Sequence, residues 1–519
     1  MNKKISLIDM QIADINAEYR GITRLQLMEN AGRQSAELAR RILKEEKLKQ
    51  ILIVCGTGGN GGDGFVAARH LARVSIPSVL LVGKLENIEQ PARTNWRIIQ
   101  NLDLSVDIQV ISSSDKIPKK LFERKNQLII DALIGTGVKG RIREPMRQVI
   151  QVINKNKSHS HILSLDIPSG TNPETGEIED ITVQPSTTIT FHGVKRGLTE
   201  ANAGKIVCVD IGIPKEAELR TGPGDLILYR RRDPWTYKGK NGRVLVVGGS
   251  VDYSGAPALS ALGALRAGVD LVRVFTSESV APSIRNYSPE LIVQQYPEDY
   301  FNDEAMKMAL KLAEDMDTVL VGPGLGDSPE INQPTKDFVL ELQKRGKITI
   351  IDAQAIKPTI SLAQIPSCDK IIYTPHAGEF KQLFGLEIPP DGENFEKRLE
   401  IVRRVAKEKT KAILLVKGHW DIITHLEKYK INLTGIPEMS IGGTGDVLAG
   451  LAAAFAARVN KPYRAAVAAA FINGLSGELY FKNENKFDVL GLIKTIPEAL
   501  FRVQQFIKTP STLNYFPLI

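Results

Sequence analysis

Short runs of branched apolar residues recur along the whole chain, and most of them empty into glycine, serine or an acid. They stand at residues 50–55, 78–83, 127–131 and 161–166 in the first half. In the second half they stand at 243–247, 269–275, 318–321, 348–351, 370–373 and 412–416. Each has strand length and is followed by a stretch with helical spacing. Strand and helix in alternation specify parallel sheets covered by helices on both faces. The predicted class is therefore α/β, with a Rossmann-like three-layer sheet first and a second sheet with helices on both faces behind it. A further run, 207–214, closes the first half, and charged and turn-forming residues follow from Lys215 to Asp233. At 519 residues the chain exceeds one ordinary domain. The boundaries expected are 1–214 and 235–519, with 215–234 as linker.

Composition narrows the function classes. The 67 basic and 59 acidic residues leave a net charge of +8, small for this length and spread out. Its densest cluster, Arg230-Arg231-Arg232, is followed at once by Asp233. A basic stripe with interleaved aromatics is missing, so nucleic acid is not an expected partner. The three cysteines, Cys55, Cys208 and Cys368, have neither metal spacing nor even number, which fits a reducing cytoplasm. No apolar run reaches membrane-spanning length, and the first residues carry no signal-peptide core. The expected partners are small molecules, and the expected assembly is a homo-oligomer.

The loops carry the chemistry. Residues 56–64 hold six glycines together with Asn60 and Asp63. A helix is expected from Phe65 through Val74. A glycine loop between strand and helix brings backbone N–H groups close to a ligand. No Lys-Ser/Thr pair ends it, so it is not a P-loop, and its polar side chains set it apart from the usual dinucleotide fingerprint. Two more strands end in Asp131 and in Asp166-Ile167-Pro168-Ser169. Three acid-bearing strand ends converge on one edge, where parallel sheets bind ligands. These oxygens could exchange a proton with substrate or hold a monovalent cation.

In the second half Gly442-Gly443-Thr444-Gly445-Asp446 leads into the apolar run 448–459. The pattern predicts a tight turn, a buried helix and Asp446 in its first turn. The turn suits a phosphate in transfer. Lys417 would neutralise nucleotide phosphate, Glu379 would help hold magnesium, and Asp446 would deprotonate an acceptor hydroxyl. His376 on its own reads as a satisfied core histidine.

Taken together these stretches resemble the bifunctional NAD(P)H-hydrate repair enzymes over nearly the whole chain. In the first half the matching motifs are residues 28–32, 58–64, 131–137 and 166–170. In the second half they are 248–250 with 253–257, 322–326, 374–380, Lys417-Gly418 and 442–450. The resemblance implies an epimerase domain followed by a ribokinase-like dehydratase domain. The first would interconvert the two epimers of hydrated NADH or NADPH. The second would use ADP to phosphorylate the hydroxyl and expel it as phosphate, giving AMP and the restored nucleotide.

Carried over by position, potassium would be held by Asn60, Asp131 and Ser169. The hydrate in the first domain would meet Gly59, Asn60, Gly61, Gly62, Asp63, Gly135, Thr136, Gly137, Val138, Lys139, Gly140, Arg141 and Asp166. In the second it would meet Gly324, His376, Ala377, Gly378, Glu379 and Asp446. ADP would lie against Lys417, Gly418, His419, Trp420, Asp421, Gly442, Gly443, Thr444 and Gly445. Asp446 and Asp166 are the expected catalytic acids, with ADP, potassium and magnesium as cofactors. The chain departs from the family pattern at Gln354, where a second acid is usual, at Ser440-Ile441 and at Gly59.

Overall fold

The structure, a computed structural model, describes residues 4–137, 140–229, 232–364, 368–390 and 392–509. It divides into two compact units, Met1–Lys215 and Glu216–Ile519. Among the described residues no helix is long and apolar enough to cross a membrane.

The first unit is built on a seven-stranded parallel sheet. In space its strands run Asp107–Ile111, Ser78–Val82, Gln50–Cys55, Gln127–Ala132, Ser160–Leu165, Thr187–Phe191, Lys205–Val209. The chain starts in the middle, winds outward one way and then the other. The direction reverses between Gln50–Cys55 and Gln127–Ala132, which opens a crevice at their carboxyl ends. Leu52, Ile53 and Val54 are fully buried, as a sheet covered on both faces requires. Helix Arg24–Glu45 is fixed at its start by a capping box between Thr23 and Gln26.

One expectation fails here. The helix after the first strand spans Gly59–Leu71, not Phe65 to Val74. Most of the glycine stretch is thus its opening turns, with Asn60 and Asp63 on the helix. The glycines are there for close packing. A Cβ at Gly61 would lie 1.9 Å from the carbonyl oxygen of Gly56, and one at Gly62 would lie 2.5 Å from the Met28 side chain. Only hydrogen fits between this helix and its neighbours, so tertiary contact overrides glycine's poor helix propensity.

The second unit repeats the winding with nine strands. Their spatial order is Ile292–Tyr296, Leu271–Ser277, Arg243–Val247, Thr318–Val321, Ile348–Ile351, Ile371–Tyr373, Ile413–Val416, Asp421–His425, Lys428–Asn432. The first seven are parallel, and the last two form an antiparallel hairpin at the edge. Residues 216–229 belong to this unit and are structured. The Thr221 amide donates to the Ile431 carbonyl at 2.9 Å, and Lys430 pairs with buried Asp225 at 2.6 Å.

Helix Thr444–Val459 lies at the centre of this unit, buried from Val447 to Ala456. Its small residues let helix Gly255–Arg266 come close. A Cβ at Gly450 would lie 2.0 Å from the Ser260 carbonyl oxygen, and the Ser260 hydroxyl donates to the Asp446 carbonyl at 2.9 Å. The helix start that carries Asp446 is therefore held from the side as well as from its own turn.

Candidate active sites

In the first unit the strand ends assemble a polar site around two acids, Asp131 and Asp166. Asp131 is fully enclosed. Its Oδ2 accepts from the Ser164 hydroxyl at 2.8 Å and the Ser169 amide at 2.9 Å, and its Oδ1 accepts from the Ser169 hydroxyl at 2.5 Å. Burial pushes this carboxyl up, and the serine hydrogen bonds oppose that rise. The Ile134 amide donates to the Ser169 hydroxyl oxygen at 2.9 Å, and Gly135 abuts Asn60. Asn60 is 7% exposed, and neither its Oδ1 nor its Nδ2 has a hydrogen-bond partner in the structure. An amide buried in that state is costly unless a ligand or ion completes it.

Asp166 stands one residue beyond its strand with φ at 63°, in the left-handed region. Its carboxylate accepts from Lys195, from the Phe191 amide at 3.3 Å and from the Thr190 hydroxyl at 3.4 Å. Lys195 is 1% exposed. Besides Asp166 it donates to the Phe191 carbonyl at 3.0 Å and the Thr190 hydroxyl at 3.2 Å. Two further acids feel this pair. Burial pushes the Asp63 carboxyl well up, Asp166 adds to the rise and Lys195 opposes it. Asp14, on helix Leu7–Tyr19, is pushed up to about 6 by burial, again against Lys195. The site thus holds three mutually coupled acids and one buried cation.

Asp14 and Lys195 were not among the sequence candidates. Lys195 sits in an undistinguished Val194-Lys195-Arg196 and reaches the site only through the pairing of its strand. Gly137, Gly140 and Arg141 lie exposed on the loop beyond Thr136. Val138 and Lys139 fall outside the described residues.

In the second unit, helix Thr444–Val459 starts at Gly443, whose φ of 99° makes the turn that only glycine adopts without strain. Asp446 lies in the first helical turn, as the pattern predicted. Burial pushes its carboxyl up to about 7, Asp352 adds to the rise and Lys417 opposes it. Lys417 Nζ lies 2.8 Å from Asp352 Oδ1 and 3.8 Å from Glu379 Oε2. It also points at the glycine turn, since a Cβ at Gly445 would come within 3.5 Å of the same Nζ. Burial pushes the lysine down, but Asp352 and Glu379 outweigh it and the net direction is up. Asp352, 2% exposed and hydrogen-bonded by Thr374 at 2.6 Å, is a site residue the sequence reading passed over. The available signal was the one that marked Asp131 and Asp166, an acid ending a buried strand.

His376 is not a core histidine. Its side chain is exposed and caps helix Ala377–Phe384, with Nδ1 accepting from the Gly378 amide at 3.0 Å and the Glu379 amide at 3.3 Å. A strand end feeding a helix leaves orphan N–H groups, and His376 satisfies two of them. Glu379 answers by accepting from the His376 amide at 2.8 Å.

A cavity of about 560 Å³ opens beside the glycine turn. Its walls include His376, Ala377, Lys417, Gly418, His419, Asp421, Thr444 and Gly445. Trp420 is not in that lining and packs edge-on against Phe395, with ring centroids 4.8 Å apart. Gly324 (φ 65°), Gly378, Glu379, Gly442, Gly443 and Asp446 also lie outside the lining. Among the described residues no group of three or more His, Cys, Asp or Glu has metal-holding geometry.

Comparison with known proteins speaks to both units. The model of the YjeF-related protein N-terminus matches residues 24–197, and that of NAD(P)H-hydrate dehydratase matches residues 244–498. The bifunctional NAD(P)H-hydrate repair enzyme Nnr of Methanothermobacter thermautotrophicus is 40% identical over 504 residues, covering 95% of this chain and 94% of that one. The chain belongs to the bifunctional NAD(P)H-hydrate repair enzyme family. The Pyrobaculum aerophilum member of that family is 41% identical over 492 residues, covering 92% of this chain and 93% of its own. Among solved structures, a ribokinase-like superfamily protein from Enterococcus faecalis is 24% identical with a TM-score of 0.48, covering 55% of this chain and 96% of that one. An ADP/ATP-dependent NAD(P)H-hydrate dehydratase from Bacillus subtilis, co-crystallised with ATP and Mg2+, is 28% identical with a TM-score of 0.44, covering 53% and 94%. Within the repair enzyme family frame, the departure at Gln354 falls two residues beyond Asp352, and its Oε1 has no hydrogen-bond partner in the structure.

Proposed function

We propose that this chain is a bifunctional repair enzyme whose first unit, Met1–Lys215, epimerises hydrated NADH and NADPH and whose second unit, Glu216–Ile519, dehydrates the hydrate at the expense of ADP. Family membership over nearly the full length supports the pairing of activities. The observation that carries the dehydratase half is Asp446, a carboxyl raised to about 7 at the mouth of a glycine turn that Lys417 faces.

The dehydration runs in two steps. Asp446 takes the proton of the ring hydroxyl, and the oxygen attacks the β-phosphorus of ADP, releasing AMP. The glycine turn and Lys417 stabilise charge on the transferred phosphoryl group. Hydroxide is a poor leaving group and phosphate a good one. The lone pair on the ring nitrogen then drives the C–O bond apart, phosphate leaves, and loss of a proton from the neighbouring carbon restores the reduced ring. Magnesium, carried by the nucleotide phosphates and one or two carboxylates near Glu379, would neutralise phosphate charge.

In the first unit the same nitrogen lone pair expels the hydroxyl as water once an acid protonates it. Water returns to the other face and gives the opposite epimer. Asp63, whose carboxyl burial pushes well up, would give the proton, and Asp166, clamped by Lys195, would take one. Potassium would be held by Asn60, whose buried amide lacks partners, together with oxygens of Asp131 and Ser169.

The test is to incubate NADH hydrate with ADP, ATP or no nucleotide and to follow the return of reduced-ring absorbance. Recovery with ADP converted to AMP supports the dehydratase, and no recovery with either nucleotide refutes it. Because Asp446 must be ionised to accept a proton, kcat/KM for dehydration should rise with pH through about 7 and level off above it. A flat profile from pH 5 to 8 would remove Asp446 from the role of base.

A further inference from the structure

The cavity of the second unit has a stretch of wall that phosphoryl transfer does not use. It consists of Ile436 and Pro437 from the loop after strand Lys428–Asn432, Leu448 from helix Thr444–Val459, and Asn473 from the middle of helix Pro462–Glu484. The loop lies directly on the Asn473 helix. A Cβ at Gly474 would be 2.3 Å from the Thr434 carbonyl oxygen, and one at Gly477 would be 2.4 Å from the Met439 sulfur. Glycine at these two positions lets the loop lie directly against the helix and present this apolar wall.

Asn473 brings a carboxamide into that wall. It is 7% exposed, and its fully enclosed Oδ1 has no hydrogen-bond partner in the structure. Other polar side chains close by are satisfied. The Ser476 hydroxyl donates to the Ile472 carbonyl at 2.7 Å, and the Asn432 amide donates to the Ala470 carbonyl at 3.2 Å. An enclosed acceptor without a partner is costly where it stands, and a turn of the Asn473 side chain toward the cavity that the residue lines would offer it to a ligand.

We infer that Asn473 is the residue that selects adenine in the nucleotide site, its carboxamide pairing with the exocyclic amine and the adjacent ring nitrogen of the base. This rests on the nucleotide reading of the site given above. The chemistry is that of asparagine and adenine wherever they meet edge to edge, with one donor and one acceptor on each partner in a shared plane. A flat purine ring suits the walls of Ile436, Pro437 and Leu448. A 6-oxo purine sets a carbonyl against Oδ1 in place of an amine, and two acceptors then face each other.

The experiment is calorimetric titration of the full chain with ADP and with IDP, for the wild type and Asn473→Leu, with thermal unfolding to confirm the fold. The wild type should bind ADP about ten-fold or more tightly than IDP. Asn473→Leu should bind the two alike, with the change confined to ADP. A residue that merely held the helix would shift both affinities together and leave their ratio intact, and that result overturns the inference. Equal binding of ADP and IDP by the wild type overturns it too, while leaving the nucleotide site standing. Binding of neither nucleotide overturns both. Should Asn473→Leu fail to fold, Asn473→Ala carries the same comparison.

Discussion

Asp446→Asn should lower the rate of ADP-driven dehydration by about 10²- to 10⁴-fold, the range a positioned general base supplies, while epimerisation continues unchanged. Asparagine keeps the shape of the side chain and its place in the first turn of the helix, so the cavity and the Lys417–Asp352 pair stay in position. Stability separates loss of chemistry from loss of fold. The folded carboxyl stands at about 7, above its unfolded value. Its contribution to stability is therefore full at low pH and is lost as pH rises through 7. Above that pH the wild type holds an ionised acid in a confined place, whereas the asparagine variant holds a neutral amide. The variant should melt no lower than the wild type at pH 8 despite its inactivity. Dehydration at the wild-type rate in Asp446→Asn would end the general-base role.

Lys195→Met should do the complementary damage. It removes a cation that touches Asp166 and leaves that acid beside Asp63 and Asp14. Breaking a buried pair from one side costs about 3–5 kcal/mol, so thermal unfolding of the first unit should shift down clearly. Epimerisation should fall to the uncatalysed rate, with ADP-driven dehydration retained. Lys195→Arg keeps the charge but not the fit, since a planar guanidinium cannot reproduce the three acceptor directions that the ammonium uses. It should recover stability better than activity. An epimerase that survives Lys195→Met at full rate would show that Asp166 needs no such clamp.

Much of the frame was legible because buried parallel strands leave an unmistakable trace. The strands at 50–55, 318–321 and 348–351 are read residue for residue, each a bounded apolar run ending in glycine or acid. The placement of Asp446 in a first helical turn was legible for the same reason, since a long apolar run had to start somewhere after the glycines. The start of the helix at Gly59 was not. Glycine looks like loop from local preference, and only the closeness of Gly56 and Met28 explains why it is helix there. His376 looked like core because nothing in Pro375-His376-Ala377 reveals that a helix begins beneath it. Lys195 and Asp14 lie far apart in the chain and meet at one acid, and Asn473 hides in an alanine-rich helix. Such residues are visible only after the strands have been ordered.

The glycine-built helix start has one more consequence. Four of the six residues from Gly59 to Gly64 are glycine, and each gives up about 0.5–1 kcal/mol of helix stability relative to alanine. Left to themselves these turns would not hold. They persist because the surrounding strands and Met28 press on them. A molecule seated against Asn60 and Asp63 would add to that hold by binding the folded stretch alone. The main-chain amides of this short stretch should therefore trade hydrogen with solvent more slowly when the crevice is filled than when it is vacant.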